Sequence, residues 1–132
     1  MSQENVEVVR DALDAYSRRD IEAARQLHHP DMELDWSASR SALARVYRGL
    51  DDAQRFWAEY YETFEETDVK PDRFIDLGET VVVPNVAYQR GRDGIVVSAR
   101  STLVYTVRDH KIARICLYQR EDEALKAVGL EQ

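Results

Sequence analysis

Apolar positions in the N-terminal part of the chain follow first a helical and then a strand period. Over residues 6–16 they recur at intervals of three and four, which predicts an amphipathic helix with the apolar residues Val6, Val9, Leu13 and Tyr16. Asp20 can cap a second, shorter helix over residues 21–28, which Pro30 helps to end. Alternation over residues 32–36 then predicts a strand that places Met32, Leu34 and Trp36 on one face.

A wide aromatic stripe marks a third helix, after a polar stretch over residues 37–48 that is expected to be partly helical at most. Asp51 and Gln54 have the spacing of a capping box, so the helix is expected to begin there. Its apolar face consists of Ala53, Phe56, Trp57, Tyr60, Tyr61 and Phe64. Two explanations fit such a stripe equally well: ordinary packing of the helix against the sheet, or the wall of a pocket.

From Asp68 onward the period of apolar positions changes to two. This change predicts strands at about 69–77, 80–90, 95–107 and 111–119, which most simply form an antiparallel meander. A last helix from about Glu121 to Val128 is expected to end at a left-handed Gly129, where Leu130 folds back. Helices followed by a run of strands predict one α+β domain over residues 1–132, with the strands curled around the aromatic helix and a pocket at the open end.

Composition removes several classes of partner. The 132 residues include 25 acidic and 18 basic ones, a formal charge of −7, without the clustered Lys and Arg that nucleic acids or anionic membrane surfaces require. No apolar run is long enough to span a bilayer. Cys116 is the only cysteine, which rules out an internal disulfide, and residues 1–20 lack the pattern of a signal peptide, so we expect a cytoplasmic protein.

Several short strings, in their order and spacing, resemble the SnoaL-like branch of the nuclear-transport-factor-2-like superfamily. They are Asn5-Val-Glu-Val-Val-Arg10, Arg19-Asp20, His29-Pro30-Asp31, Tyr47-Arg48-Gly49, Phe74-Ile-Asp-Leu-Gly78, Tyr105-Thr-Val-Arg-Asp-His-Lys-Ile112 and Asp122-Glu-Ala-Leu-Lys-Ala-Val-Gly-Leu130. The resemblance implies a cone-shaped α+β barrel, in which a curved mixed or antiparallel sheet wraps around N-terminal helices and often forms a homodimer. Members include polyketide cyclases, ketosteroid isomerases and epoxide hydrolases, so the fold does not fix the function.

The resemblance also implies positions for two kinds of active site, and this chain departs from both. The steroid-isomerase base corresponds to Trp36, while Asp35 lies one residue away and therefore on the opposite face of its strand. The tyrosine and the protonated acid of that site correspond to Ala12 and Thr102. The epoxide-hydrolase arginine corresponds to Arg100, but the acid that should follow it is missing. Both activities are disfavoured.

A polyketide-cyclase type of site depends more on the shape of an aromatic pocket than on a fixed motif. The candidate ligand-binding residues are Trp36, Trp57, Tyr60, Tyr61, Tyr88 and Thr102. Asp35, His28 or His29 could move a proton, and Arg100 is a second catalytic candidate if it faces inward. An outward Arg100, in solvent or in a dimer interface, agrees slightly better with the apolar character of Ala99, Leu103 and Tyr105.

No metal site or cofactor is expected, because His28 and His29 at a helix end would point about 100° apart. The sequence therefore predicts a cytoplasmic homodimer that binds a small, largely apolar molecule. Acid–base chemistry on a polyketide- or carbonyl-type compound is the enzymatic hypothesis. A non-catalytic ligand-binding or dimerisation module is the alternative, and the sequence does not decide between them.

Overall fold

The structure of the protein is a computed structural model that describes residues 2–130. The helices are α1 (Ser2–Arg18), α2 (Ile21–Leu27), α3 (Leu50–Thr63) and α4 (Glu121–Ala127). The strands are β1 (His28–Asp35), β2 (Val46–Arg48), β3 (Phe64–Pro71), β4 (Ile75–Asp76), β5 (Thr80–Gly91), β6 (Val96–Arg108) and β7 (Lys111–Tyr118). No helix within residues 2–130 combines the length and the apolar character that a membrane crossing requires.

One mixed sheet contains these strands, in the order β2-β1-β7-β6-β5-β3, and the short β4 also pairs with β5. Strands β5, β6 and β7 form the antiparallel meander that the alternation predicted. β1 lies parallel to β7, which makes the sheet mixed. Within the described residues the edge strands β2 and β3 do not pair with each other, so the sheet is open and not a closed barrel. The predicted α+β class, with N-terminal helices and a short C-terminal helix, is confirmed.

Helices cover both faces of the sheet. Helices α1, α2 and α3 pack on one face, against Leu34, Val83, Leu103, Tyr105 and Ile115. Helix α4 packs on the other face through Ala124 and Leu125, against Val82 and Val104. Successive residues of a strand point to opposite faces, so the odd-numbered residues of β5 and β6 face the three N-terminal helices. We call this side the inner face and the side of α4 the outer face.

The second helix begins as predicted but ends earlier. Oδ1 of Asp20 accepts a hydrogen bond from the backbone N–H of Ala23 at 3.0 Å, which caps α2. The helix ends at Leu27, and the chain is already extended at His28. His28 is the C-cap residue of α2, as its predicted position at the helix end requires, but the helix ends one residue earlier than predicted and both His28 and His29 belong to β1.

The third helix lacks the predicted capping box. It begins at Leu50 after Gly49, and no side chain among the described residues caps it. The guanidinium of Arg25 on α2 binds both residues of the predicted box, at 3.1 Å from Asp51 and 2.6 Å from Gln54. These side chains are held by α2 instead of turning back to the start of their own helix, and they tie the two helices together.

The strand predicted over residues 69–77 is in fact two strands. β3 begins at Phe64, immediately after α3, and pairs with β5 from Gly91 back to Asn85. β4 pairs with β5 separately, through Val81 and Val82. Because α3 passes into β3 without a loop, the aromatic stripe ends against the edge of the sheet.

Two predicted turns have the expected backbone geometry. Asp109 and His110 both have positive φ, 54° and 63°, in the turn between β6 and β7. At the end of α4 the N–H of Leu130 donates to the carbonyl of Leu125 at 2.7 Å, and that of Gly129 to Lys126 at 3.0 Å. These are the two hydrogen bonds of a Schellman motif.

Candidate functional site

A cavity lies between the inner face of the sheet and helices α1–α3. Its volume is about 90 Å³, measured as the space open to the centre of a water molecule. One water needs about 10–15 Å³ by that measure, so there is room for about six to nine waters or a small organic molecule of that size. Residues from the three helices and from β1, β3, β5, β6 and β7 line it.

Small side chains leave this space open. Ala12 on α1, Ala24 on α2, Ala87 on β5 and Ser101 on β6 are all part of the lining. Ala12 and Ala24 are themselves buried, so their helices lie close to the sheet without filling the gap above it. A larger apolar residue at any of these positions would occupy the cavity with protein.

Aromatic side chains form most of the helical wall. The ring of Phe56 on α3 lies 5.1 Å from that of Trp36, 5.0 Å from that of Tyr47 and 5.0 Å from that of Tyr60, between centroids. Such tilted and edge-to-face contacts add to the stabilisation that burial provides. The aromatic stripe of α3 therefore contributes both to the core and to the wall of the cavity.

His28 is the one histidine in the lining, and it is held in a single neutral form. It is 3% exposed, packs against Trp57 at 5.0 Å between ring centroids, and its Nδ1 lies 2.6 Å from the carbonyl oxygen of Ala24. A carbonyl only accepts, so Nδ1 carries the proton and Nε2 keeps its lone pair. Burial lowers the pKa of His28 to about 4, although the Ala24 hydrogen bond opposes the shift.

Tyr105 on β6 brings a second buried polar group to the cavity. The residue is 4% exposed and lines the cavity from the inner face of the sheet. Burial raises the pKa of its hydroxyl above the ordinary value, so the group is a proton donor at neutral pH. Within residues 2–130 this hydroxyl has no hydrogen-bond partner.

Three other polar residues of the lining, Tyr61, Asn85 and Ser101, form hydrogen bonds to protein atoms. The Tyr61 hydroxyl donates to the carbonyl of Tyr16 at 2.9 Å, and burial raises the pKa of Tyr61 to about 12. Asn85 donates to the carbonyl of Val83 at 3.0 Å and accepts from the Ser101 hydroxyl at 3.2 Å. Among residues 2–130 the lining contains no Asp, Glu, Lys or Arg, so these residues give the cavity no formal charge while His28 is neutral.

Four of the six predicted ligand-binding residues meet at this cavity, namely Trp36, Trp57, Tyr60 and Tyr61. The indole Nε1 of Trp36 is buried and has no acceptor among the described residues. Tyr88 and Thr102 do not line the cavity. They alternate with Ala87 and Ser101, which do line it, and therefore lie on the outer face.

The two predicted catalytic candidates, Asp35 and Arg100, are also absent from the lining. Asp35 accepts hydrogen bonds from Ser37 and from Arg114, 3.3 Å away. Burial raises the pKa of Asp35, but the hydrogen bonds from Ser37 and the charge of Arg114 lower it by more. Arg100 is exposed and pairs with Asp72 at 2.7 Å, which agrees with an outward orientation.

The other chemically active side chains are engaged elsewhere. His29 donates from Nε2 to the carbonyl of Arg108 at 2.8 Å, away from the cavity. Cys116 is buried, and burial raises the pKa of its thiol. Within residues 2–130 no three side chains among His, Cys, Asp and Glu are grouped as a metal ion would require.

Sequence reasoning did not single out Tyr105, and it named His28 only as one of several groups that could move a proton. The signal for His28 was the four-residue interval from Ala24, which lets a ring nitrogen reach a carbonyl of the preceding turn. The signal for Tyr105 was a tyrosine between the apolar residues Val104 and Val107, since a buried hydroxyl requires a partner.

A family model described as a SnoaL-like domain matches residues 9–115 of the chain. Among curated proteins, no sequence matches the chain.

Solved structures with the same fold extend over nearly the whole chain. TerC co-crystallised with polyporic acid has a TM-score of 0.77 and 22% identity, over 93% of this chain and 96% of that one. An NTF2-like protein of unknown function from Burkholderia pseudomallei has a TM-score of 0.77 and 20% identity, over 96% and 98%. A protein provisionally called a polyketide cyclase, from Sinorhizobium meliloti, has a TM-score of 0.69 and 21% identity, over 89% and 98%. At these identities the likeness shows the fold alone.

Proposed function

The chain belongs to the SnoaL-like domain family, and on that premise we propose that it acts as one domain that binds a small, largely apolar molecule between its helices and its sheet. The observation that carries this proposal is the cavity itself, which is lined by aromatic rings, contains no formal charge and is kept open by small side chains. A concave, mostly apolar site with a few polar groups is the usual form of a small-molecule site.

The enzymatic form of the proposal assigns acid–base chemistry to His28. A general base needs a free lone pair near the proton that it removes, and Nε2 of His28 has one at neutral pH. The compound would be of the carbonyl or polyketide type. In such compounds a base can remove a proton from the carbon next to a carbonyl or from a hydroxyl group. The polyporic acid of TerC and the cyclase name of the Sinorhizobium relative agree with that class.

Non-catalytic binding is the second candidate, and two observations favour it. The part of the lining that the structure describes contains no carboxylate, and the depressed pKa of His28 makes the ring a weak base. Exchange with solvent deuterium separates the two forms: if the wild-type protein replaces the carbon-bound protons next to the carbonyl of a hydroxyketone by deuterium faster than His28→Asn does, catalysis is supported. Equal exchange rates favour the carrier.

Tryptophan fluorescence is expected to report occupancy of the cavity, because the chain has two tryptophans and both are in the lining. Titration with acetophenone, a small aromatic ketone that quenches indole, is expected to give saturable quenching. In Trp36→Phe and Trp57→Phe, the remaining indole is expected to be quenched over the same concentration range. Linear, unsaturated quenching equal to that of free tryptophan would refute binding in the cavity.

A pair of matched variants sharpens this test. Ala87→Leu adds three carbons inside the cavity, while Ala58→Leu makes the same change on the exposed side of α3. We expect the first to weaken acetophenone binding by about tenfold or more, by occupying the space, and the second to leave it unchanged. Thermal unfolding of both variants controls for loss of structure.

We also propose a homodimer that forms through the outer face of the sheet, in the cytoplasm. On β6 the residues Val96–Arg100 are exposed, and on the outer face Val96 exposes 50% of its surface beyond the region that α4 covers. Exposed apolar groups of this kind mark interaction surfaces.

Light scattering after size exclusion is expected to give twice the 15.3 kDa of one chain. Val96→Asp on the outer face is expected to halve that mass, whereas Leu77→Asp, at an exposed apolar position between β4 and β5, is expected to leave it unchanged. A wild-type mass of one chain at every concentration contradicts the dimer, and cell fractionation tests the compartment.

A further inference from the structure

Besides the indole Nε1 of Trp36, two polar groups of the cavity lack protein partners in the described part of the chain, and both belong to residues that are buried by more than nine-tenths. One is the hydroxyl of Tyr105, which is a donor, and the other is Nε2 of His28, which is an acceptor. Within the described residues neither atom receives or donates a hydrogen bond. Polar atoms of lining residues that have no protein partner can bond to a molecule in the cavity, so both sites favour an occupant that supplies the missing bonds.

The two groups approach the cavity from different strands. Tyr105 stands on β6 opposite Ile115 of β7, whereas His28 begins β1 opposite Ile112 of β7. With β7 between their strands, they are not hydrogen-bonded to each other and can hold two separate atoms of one ligand. The Nδ1–H of His28 is already used by Ala24, so the ring cannot present a donor to the cavity while it is neutral.

We propose, on the basis of the small-molecule binding proposed above, that Tyr105 and His28 together select an uncharged single-ring hydroxyketone. The Tyr105 hydroxyl donates to the carbonyl oxygen, and Nε2 of His28 accepts the hydrogen bond of the ligand's hydroxyl group. The single ring follows from the volume of about 90 Å³. The lack of ligand charge follows from a lining without Asp, Glu, Lys or Arg, since an unpaired charge would be costly to bury there.

Four ring compounds of nearly equal size test the two halves of this pairing. Hydroxyacetophenone, as its 3′ and 4′ isomers, has both oxygen functions; acetophenone has only the carbonyl, 4-ethylphenol only the hydroxyl, and ethylbenzene neither. Calorimetric titration slightly below neutral pH keeps the ligands and His28 uncharged. We expect the better hydroxyacetophenone isomer to bind about tenfold more tightly than either single-function compound.

Two variants assign the effect to the two side chains. Tyr105→Phe removes only the hydroxyl, and is expected to weaken binding of hydroxyacetophenone and acetophenone by about tenfold without affecting 4-ethylphenol. His28→Asn keeps a donor for the Ala24 carbonyl but removes Nε2, and is expected to weaken hydroxyacetophenone and 4-ethylphenol without affecting acetophenone. Tyr118→Phe, which removes a hydroxyl outside the cavity lining, is the matched control.

The outcomes separate this inference from the proposal beneath it. Equal binding of all four ring types to the wild-type protein overturns the Tyr105–His28 selection but leaves small-molecule binding intact. The Tyr105–His28 selection is also overturned, with small-molecule binding intact, if Tyr105→Phe weakens the binding of every compound, including ethylbenzene. If none of the compounds binds, the small-molecule proposal fails as well. The wild-type comparison needs no variant, so it decides the matter even if His28→Asn does not fold.

Discussion

Replacing Phe56 with alanine is expected to lower the free energy of unfolding by about 3–5 kcal/mol. Phe56 is buried at 4% exposure, and its ring contacts those of Trp36, Tyr47 and Tyr60. Truncation removes the transfer free energy of the ring and enlarges a space that is already partly empty, so the walls cannot easily collapse to compensate. This is the largest effect that we expect from a single substitution in the lining.

Urea unfolding followed by circular dichroism measures this loss. Ala58→Gly, on the exposed side of the same helix, is the control for helix propensity, and is expected to cost about 1 kcal/mol. A cost of Phe56→Ala no larger than that of the control would show that the aromatic stripe of α3 is not packed as described. The m-value is expected to stay unchanged, because the substitution alters packing but not the amount of surface that unfolding exposes.

The second large effect is a loss of stability in mild acid that depends on His28. In the unfolded chain the pKa of a histidine is 6.5, and in the folded protein burial lowers that of His28 to about 4. Above pH 6.5 His28 is neutral in both the folded and the unfolded state. As the pH falls between the two values only the unfolded state takes up the proton, so the free energy of unfolding falls by about 1.4 kcal/mol per pH unit, or about 3 kcal/mol in all.

Unfolding curves at several pH values test this expectation. Carboxylates titrate in the lower part of the same range, so the informative quantity is the difference in unfolding free energy between the wild type and His28→Asn. That difference is expected to decrease toward pH 4. His110→Asn, at an exposed turn position whose positive φ suits asparagine, is expected to show no such trend. A pH-independent difference for His28→Asn would mean that the ring is solvated or already charged.

The elements with strong local signals could be predicted from the sequence. The first helix, the β5–β6–β7 meander and the Schellman end of α4 each depend on spacing or on one residue type at one position. The capping box failed for a reason outside that segment. Its two side chains bind Arg25, which is distant in sequence, and no local pattern contains that contact.

The inner and outer faces of β6 could not be told apart from the sequence, because helices cover both of them. Leu103 and Tyr105 face α1–α3, while Thr102 and Val104 face outward, and all four are buried. Alternation distinguishes faces only when one of them meets water. For the same reason Tyr105 was not recognised as a cavity residue.

The parallel pairing of β1 with β7 has a consequence for how the chain is made. β1 ends at Asp35, but its partner β7 extends from Lys111 to Tyr118, so this part of the sheet cannot form on the ribosome until residues 111–118 have been translated. Until then the aromatic side of α3 lacks part of the surface that covers it. The nascent chain therefore exposes the aromatic side of α3 until β7 has been made. Pairing of β1 with β7 is also slow, because the two strands are far apart in the sequence.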